Sequence, residues 1–388
     1  MTNLPSHRSV RMNIRLVFIT LLITTLIVVA GKQDIHAQST REDSPVTRNV
    51  LLPPGPDNPR NSEGDFIRLK DGRLMFIYTH FTGGGGDHEA AHLAARYSCD
   101  EGKTWTQEDE VVIPNEGGMN VMSVSLLRLH TGEIALFYLR KNSLLDCRPV
   151  LRISHDEGET WSDPIEIIPD EEMGYYVLNN DRVVQLSSGR LIAPVARHNA
   201  PDYKEYTGYG DIMVYLSDDH GRTWRRNSTV LKPNSTLSGD SVMLQEPGVV
   251  ELEDNRLMMF IRTDQHVQYI TWSADQGETW LPVRPGNISS PRSPASIERI
   301  PQTGDLLLVW NNNSKDHKRT PYNVAISRDE GKTWEHLKTL EDDPYGWYCY
   351  TAIYFGGDYI LLGHCAGDRR EGGLNTTQIT RFPIDWLY

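Results

Sequence analysis

The 388-residue sequence predicts an all-β protein, a six-bladed β-propeller of four-stranded antiparallel blades with five near-identical turns. One observation is the box S-x-D-x-G-x-T-W, which reads SCDEGKTW at 98–105, SHDEGETW at 154–161, SDDHGRTW at 217–224, SADQGETW at 273–280 and SRDEGKTW at 327–334. Another is a tight turn followed by strand-forming residues, present six times: LKDGRLMFIY (69–78), LHTGEIALFY (129–138), LSSGRLIAPV (186–195), LEDNRLMMFI (252–261), PQTGDLLLVW (301–310) and YFGGDYILLG (354–363). The third is that the two elements alternate with a period of about 55 residues, enough for four short strands and their loops.

Each turn-and-strand element reads as the second arm of a hairpin. A third strand follows (AHLAARYS, VLRIS, DIMVYLS, VQYITWS, YNVAIS) and ends in the box, and a fourth strand leaves the box. The sixth unit lacks a box, as expected if the last blade stops near Phe382, where the chain runs out. Within the box, Asp accepts hydrogen bonds from turn N–H groups, Gly supplies positive φ, Thr favours the outgoing strand and Trp covers the junction between sheets. A turn repeated in every blade serves a need that every blade has. The five aspartates are therefore read as structural rather than as metal ligands or catalysts.

A net charge of −13 excludes nucleic acid as a partner, because phosphate binding needs a basic face. It leaves room for a small anion held by a few converging arginines. The unbroken apolar run 16–31 follows a basic stretch and precedes Ala37, so 1–37 is expected to be a signal peptide or, uncleaved, an anchor. An exported chain without stable membrane insertion of its mature part follows, with 38–57 as a leader or linker and 58–388 as the propeller. Cys99, Cys147, Cys349 and Cys365 show no metal-ligand spacing, so no metal is expected. They read as buried small hydrophobes, with one or two disulfides allowed by export.

Function in a propeller sits where the loops that break the repeat meet at the axis. Four stretches place charged residues where the repeat does not require them: NPRNSEGDF (58–66), with Arg60 and Glu63; GGGGDHEAAH (83–92), with Asp87; LQEPGVVELEDNRLMMFIRT (244–263), with Glu246 and Arg262; and KDHKRTPYNVAIS (315–327) with YGWYCYTAIYF (345–355), carrying Arg319 and Tyr350. Further polar residues in the loops of blades two and three, Arg140, Asp146, Arg148, Asn180, Arg182 and His198, are candidates for the rim or, equally, for a surface network. Tyr203, Tyr206 and Tyr209 are candidates for an apolar wall.

Over roughly residues 50–388 these motifs resemble the bacterial and animal exo-sialidase (neuraminidase) superfamily, whose six-bladed propellers carry this Asp box. The resemblance implies three arginines around a sugar carboxylate, matched here by Arg60, Arg262 and Arg319. It implies a nucleophilic tyrosine in the last blade, Tyr350, a glutamate base, Glu246, and an acid/base aspartate before the first box, Asp87. It implies no cofactor. Two departures stand out: R60-N-S-E replaces the usual R-I-P, and His364 occupies the place of the carboxylate that braces the first arginine. Glu63 is the candidate substitute for that brace, and Glu63, Arg148 and Arg182 complete the candidate rim.

Three guanidiniums suit a carboxylate because arginine offers paired N–H donors and stays charged. A neutral phenol can approach an anomeric carbon that bears its own carboxylate where an ionised carboxyl group would be repelled. The expected partner is a sialylated glycoconjugate or another acidic glycan, cleaved with retention. A same-fold enzyme acting on a different acidic sugar and a non-catalytic glycan- or protein-binding propeller are the competing expectations.

Overall fold

The computed structural model describes residues 44–203 and 205–388. The apolar run 16–31 and the expected cleavage point at Ala37 lie outside them. Among the described residues no helix is long and apolar enough to cross a membrane. Regular structure is almost all strand, with two short 3-10 turns at Asp170–Glu172 and Ile384–Leu387.

Six antiparallel blades follow in chain order. Blade one is a meander of Arg60–Arg68, Leu74–Phe81, Ala91–Ser98 and Glu110–Ile113. Blades four (from Gln245–Glu251) and five (from Ser296–Arg299) are built the same way. Blades two (from Asn120–Arg128) and three (from Val184–Gln185) are bridged by the short strand Tyr175–Val177, which pairs antiparallel with Leu191–Asn199 and parallel with Asp146–Ser154. Blade six consists of Gly346–Phe355, Tyr359–Asp368 and Thr377–Pro383, and its fourth strand is Thr47–Leu52, hydrogen-bonded antiparallel to Thr377–Pro383. The expected linker 38–57 therefore contains a strand of the propeller. The sixth box is missing because the third and fourth strands of this blade are not consecutive in sequence, so no turn joins them.

Among the described residues six of the seven buried apolar clusters fill the seams between neighbouring blades, including the seam between blades six and one, where Leu361 and Ile379 meet Phe66 and Trp105. Each sheet is thus covered on both faces, which is why the middle strands read as unbroken apolar runs rather than as alternating ones. The box sits in these seams. In the third copy Asp219 accepts hydrogen bonds from Ser217 Oγ (2.8 Å), Thr223 N (2.9 Å) and Thr223 Oγ1 (2.7 Å). Gly221 has φ +89°, and a Cβ there would stand 2.4 Å from Leu151 Cδ2 of the preceding blade. Gly102 meets Leu361 of blade six, Gly158 meets Met75 of blade one, and Gly331 meets Met258 of blade four in the same way. The box is an inter-blade joint whose glycine lets one sheet lie against the next.

The innermost strands share a second device. Four of them shift register at a bulge, between Ser62 and Asp65, Met122 and Ser125, Gln245 and Gly248, and Cys349 and Ala352. At each bulge one non-glycine residue has positive φ: Glu63 (57°), Ser123 (63°), Glu246 (45°) and Tyr350 (57°), and Asp181 (54°) does the same at the entry to blade three. Such conformations cost about 1–3 kcal/mol each and turn a side chain out of the alternating row.

Candidate active site

Strand register separates the two ends of the propeller. In blade one Arg68, Leu74 and Ser98 share the box end, whereas Arg60, Phe81 and Ala91 share the other, beside the loop that carries Asp87. At this second end a cavity of about 270 Å³ is lined by Glu63, Asp87, Glu246, Arg262, Arg319 and Tyr350. Most of its remaining wall comes from blades two and three, with Met122, Leu139, Lys141, Tyr175, Val177, His198 and Tyr206, and Gln245 and Leu374 add to it from blades four and six. A wider groove of about 830 Å³ at the edges of blades four and five, lined by Trp272, Leu281 and Arg284, lacks a nucleophile beside a base.

Glu246 is the hub. Its bulge presents the carboxylate beside Arg262, whose Nη1 donates to Oε1 at 2.7 Å. Tyr350 Oη reaches the same oxygen at 3.4 Å from the bulge of blade six. Arg319 enters on the loop before Tyr322–Ser327, donates to Cys349 Sγ at 2.8 Å and lies over the Tyr350 ring at 5.2 Å. Gly248, which closes the Glu246 bulge, lies against the Phe260 ring, where a Cβ would stand 2.3 Å away.

The electrostatics follow from burial and charge together. Burial pushes the Glu246 carboxyl up, but Arg262 and Arg319 more than reverse it, so Glu246 is held ionised below its ordinary value. Burial and the Glu246 charge both push the Tyr350 phenol far up. The phenol is therefore protonated and sits beside a carboxylate that can take its proton. Glu246 Oε2, Arg262 Nε and Arg319 Nε have no protein partner although buried. Buried donors and acceptors of this kind are normally paired; the two open guanidinium donors suit an anionic group and the open carboxylate oxygen a donor, so the wall suits a polar ligand that carries both.

Asp87 stands at the mouth, with its side chain 60 % exposed and its carboxylate accepting from Arg60 Nη1 at 2.5 Å. Burial pushes it up, Arg60 pulls it down further, and the net position is below the ordinary carboxylate. The Asp87 backbone carbonyl accepts from Lys141 Nζ at 2.6 Å and Asn120 Nδ2 at 3.0 Å, which fixes the glycine-rich loop.

Several expectations are corrected. Arg60 does not border the cavity: it is 2 % exposed, packs over the Phe81 ring, and spends its donors on Ser62, Gly85, Asp87 and Glu63. Glu63 does brace it, at 3.1 Å. Arg148 is not on the rim; it ties the blade-two loops together through Asp146, Ile168 O and Asp170. Arg182 is buried near the axis, donating to Ala295 O and Ser296 Oγ across to blade five. Of the three tyrosines only Tyr206 lines the cavity, edge-on to Tyr175, while Tyr203 bonds Asp211 and Tyr209 is exposed. Cys99 is exposed, and all four cysteines are free.

Lys141 was not expected. It is 1 % exposed, with Nζ 5.4 Å from the Tyr175 ring centroid. The neighbouring Arg140, a rim candidate, instead bonds Glu166 on the other face of the strand. A shift of one residue along a strand exchanges the two faces, and composition alone does not say which member of the R-K pair turns inward.

Fold and site define a class: an Asp-box propeller with a buried Tyr–Glu pair and two arginines at one end of its axis. The chain belongs to the BNR repeat-like domain family, which it matches over residues 81–362, within the sialidase superfamily. It is 28 % identical over 365 residues to a sialidase of Micromonospora viridifaciens, covering 85 % of this chain and 51 % of that one. It is 23 % identical over 313 residues to an anhydrosialidase of Macrobdella decora, covering 73 % and 38 %. The chain spans about half or less of the length of these relatives. In fold it is similar to a Trypanosoma rangeli sialidase (TM-score 0.68, 16 % identity, 87 % of this chain and 60 % of that one). A Dyadobacter fermentans protein of unknown function is as similar (TM-score 0.68, 18 % identity, 87 % and 99 %).

Proposed function

We propose that this chain is an exported exo-α-sialidase, a glycoside hydrolase that releases terminal sialic acids from glycoconjugates with retention of configuration. The observation that carries the reading is the Tyr350–Glu246–Arg262 chain of contacts inside a cavity that Arg319 and Asp87 share. The sugar carboxylate would sit on the free donors of Arg262 and Arg319. Tyr350 Oη attacks the anomeric carbon as Glu246 takes its proton, and the glycosidic bond breaks as protonated Asp87 gives its proton to the leaving oxygen. Ionised Asp87 then takes a proton from water, whose oxygen displaces Tyr350 from the anomeric carbon while Glu246 returns the proton to the phenol. Two inversions restore the configuration. Asp87 must gain a proton before the first step, and the negative charge of the substrate carboxylate in the cavity favours that gain.

The test uses a fluorogenic α-sialoside and 2,3-difluorosialic acid with the parent and Tyr350→Phe. Turnover by the parent, a kcat lower by about 10⁴-fold in the variant, and an adduct mapped to Tyr350 are expected. An adduct on another residue removes the nucleophile from this reading, and no turnover of any sialoside removes the substrate. One observation favours a second reading, an enzyme for a different acidic sugar: Arg60 stands behind the cavity wall and Lys141 lies on it. Cleavage of another ulosonic glycoside, with none of sialosides, would establish it.

A further inference from the structure

Cys349 and Cys365 are direct register partners on adjacent strands of blade six. Opposed residues of an antiparallel pair have Cα atoms about 4.5–5.5 Å apart, within the span of about 4.4–6.8 Å that a disulfide needs. Both thiols are free and buried, clustered with Tyr350 beneath Trp347 and Leu374. Cys349 Sγ is the acceptor for Arg319 Nη1 at 2.8 Å, and Cys365 faces the charges of Arg60 and Glu63. The pair therefore lies between two arginines, one residue from the proposed nucleophile, and packing alone does not call for two thiols there.

We propose that Cys349 and Cys365 are a redox pair, joined by thiol–disulfide exchange into a cross-strand disulfide that releases Arg319 from its sulfur partner. The oxidant is a low-molecular-weight disulfide such as glutathione disulfide. The Cys349 thiolate attacks one of its sulfurs and expels one glutathione thiolate. Cys365, losing its proton, then attacks the Cys349 sulfur of the mixed disulfide and expels the second. Two thiols are oxidised, their two protons pass to the two expelled glutathione thiolates, and one glutathione disulfide becomes two glutathiones. Cys349 is the attacking group because Arg319 lies against its sulfur. Burial pushes this thiol up, and Cys365 and Arg319 together bring it below its ordinary value. A disulfide sulfur bears no charge and accepts weakly, so the Arg319 N–H turns to whatever anion occupies the cavity.

The effect on substrate rests on the proposed sialidase reading; the bond itself does not. The full chain, with Cys99 blocked by iodoacetamide, is refolded in glutathione buffers of rising oxidised fraction and digested without reduction. A linked peptide joining 349 and 365 is expected to grow with that fraction and to be absent from Cys365→Ser. KM for the sialoside should be about tenfold lower in oxidised than in reduced protein, with no redox dependence in Cys365→Ser. Absence of the linked peptide at every ratio overturns the pair, and a linked peptide with unchanged KM overturns the release of Arg319. Should neither state turn over sialosides, the substrate reading falls instead. Thermal melting then decides: a higher Tm for oxidised wild type alone supports the pair, and equal values count against it.

Discussion

Glu246 is both buried and ionised, and two guanidiniums make that possible. Removing either strands a charge, so Arg262→Met and Arg319→Met should each lower kcat/KM by about 10²–10³-fold, with much of the loss in KM. Arg60 bonds Asp87 and does not border the cavity, so Arg60→Met should leave KM within a few-fold and move the pH profile instead. Arg60 favours ionised Asp87; without it the Asp87 pKa rises, and since the first step needs the protonated acid, the alkaline limb of kcat/KM should shift to higher pH. A steady-state pH series on the two proteins checks this. A large KM increase with an unmoved limb would return Arg60 to direct carboxylate binding.

At the scale of single elements, the box and the bulge do different work. Asp219→Ala removes the acceptor for three hydrogen bonds and should cost about 1–3 kcal/mol in urea unfolding. Gly221→Ala adds a Cβ at a φ of +89° and 2.4 Å from Leu151, and should cost about as much or more. Both joints lie at the far end from the cavity, so kcat/KM at 25 °C should stay within twofold of the parent. The boxes were legible in the sequence because a turn is local chemistry, with Asp, Gly and Thr acting within five residues of one another. The Tyr–Glu–Arg constellation was legible only through family spacing, since bulges invert the alternation that would otherwise say which side chain turns inward. Lys141 was lost to that ambiguity. Thr47–Leu52 was lost for another reason: a six-residue strand whose partner lies more than 300 residues away carries no local sign of its pairing.

For the whole molecule, the axis holds a group of acids contributed by separate blades: Asp65 from blade one, Asp181 from the entry to blade three and Glu298 from blade five. Burial first, then their mutual repulsion, pushes Asp65 and Glu298 well up, and burial raises Asp181. Carboxyls whose folded pKa lies above the unfolded value favour folding while protonated, so their contribution is complete below about pH 4 and is lost as pH rises through the folded values. Tm should therefore decline toward alkaline pH, and Glu298→Gln, which keeps a donor for Asp181 without the charge, should flatten that decline. An unchanged slope in the variant would assign the pH dependence elsewhere.

The left-handed kinks of the inner strands have an evolutionary consequence. Because the same distortion recurs from blade to blade, the ring offers a set of equivalent sockets around its axis, now filled by Glu63, Ser123, Asp181, Glu246 and Tyr350. A new side chain in one socket inherits an inward aim without any redesign of its blade, and the seams outside need not notice. Such a scaffold can change its chemistry by single substitutions while its architecture stands still.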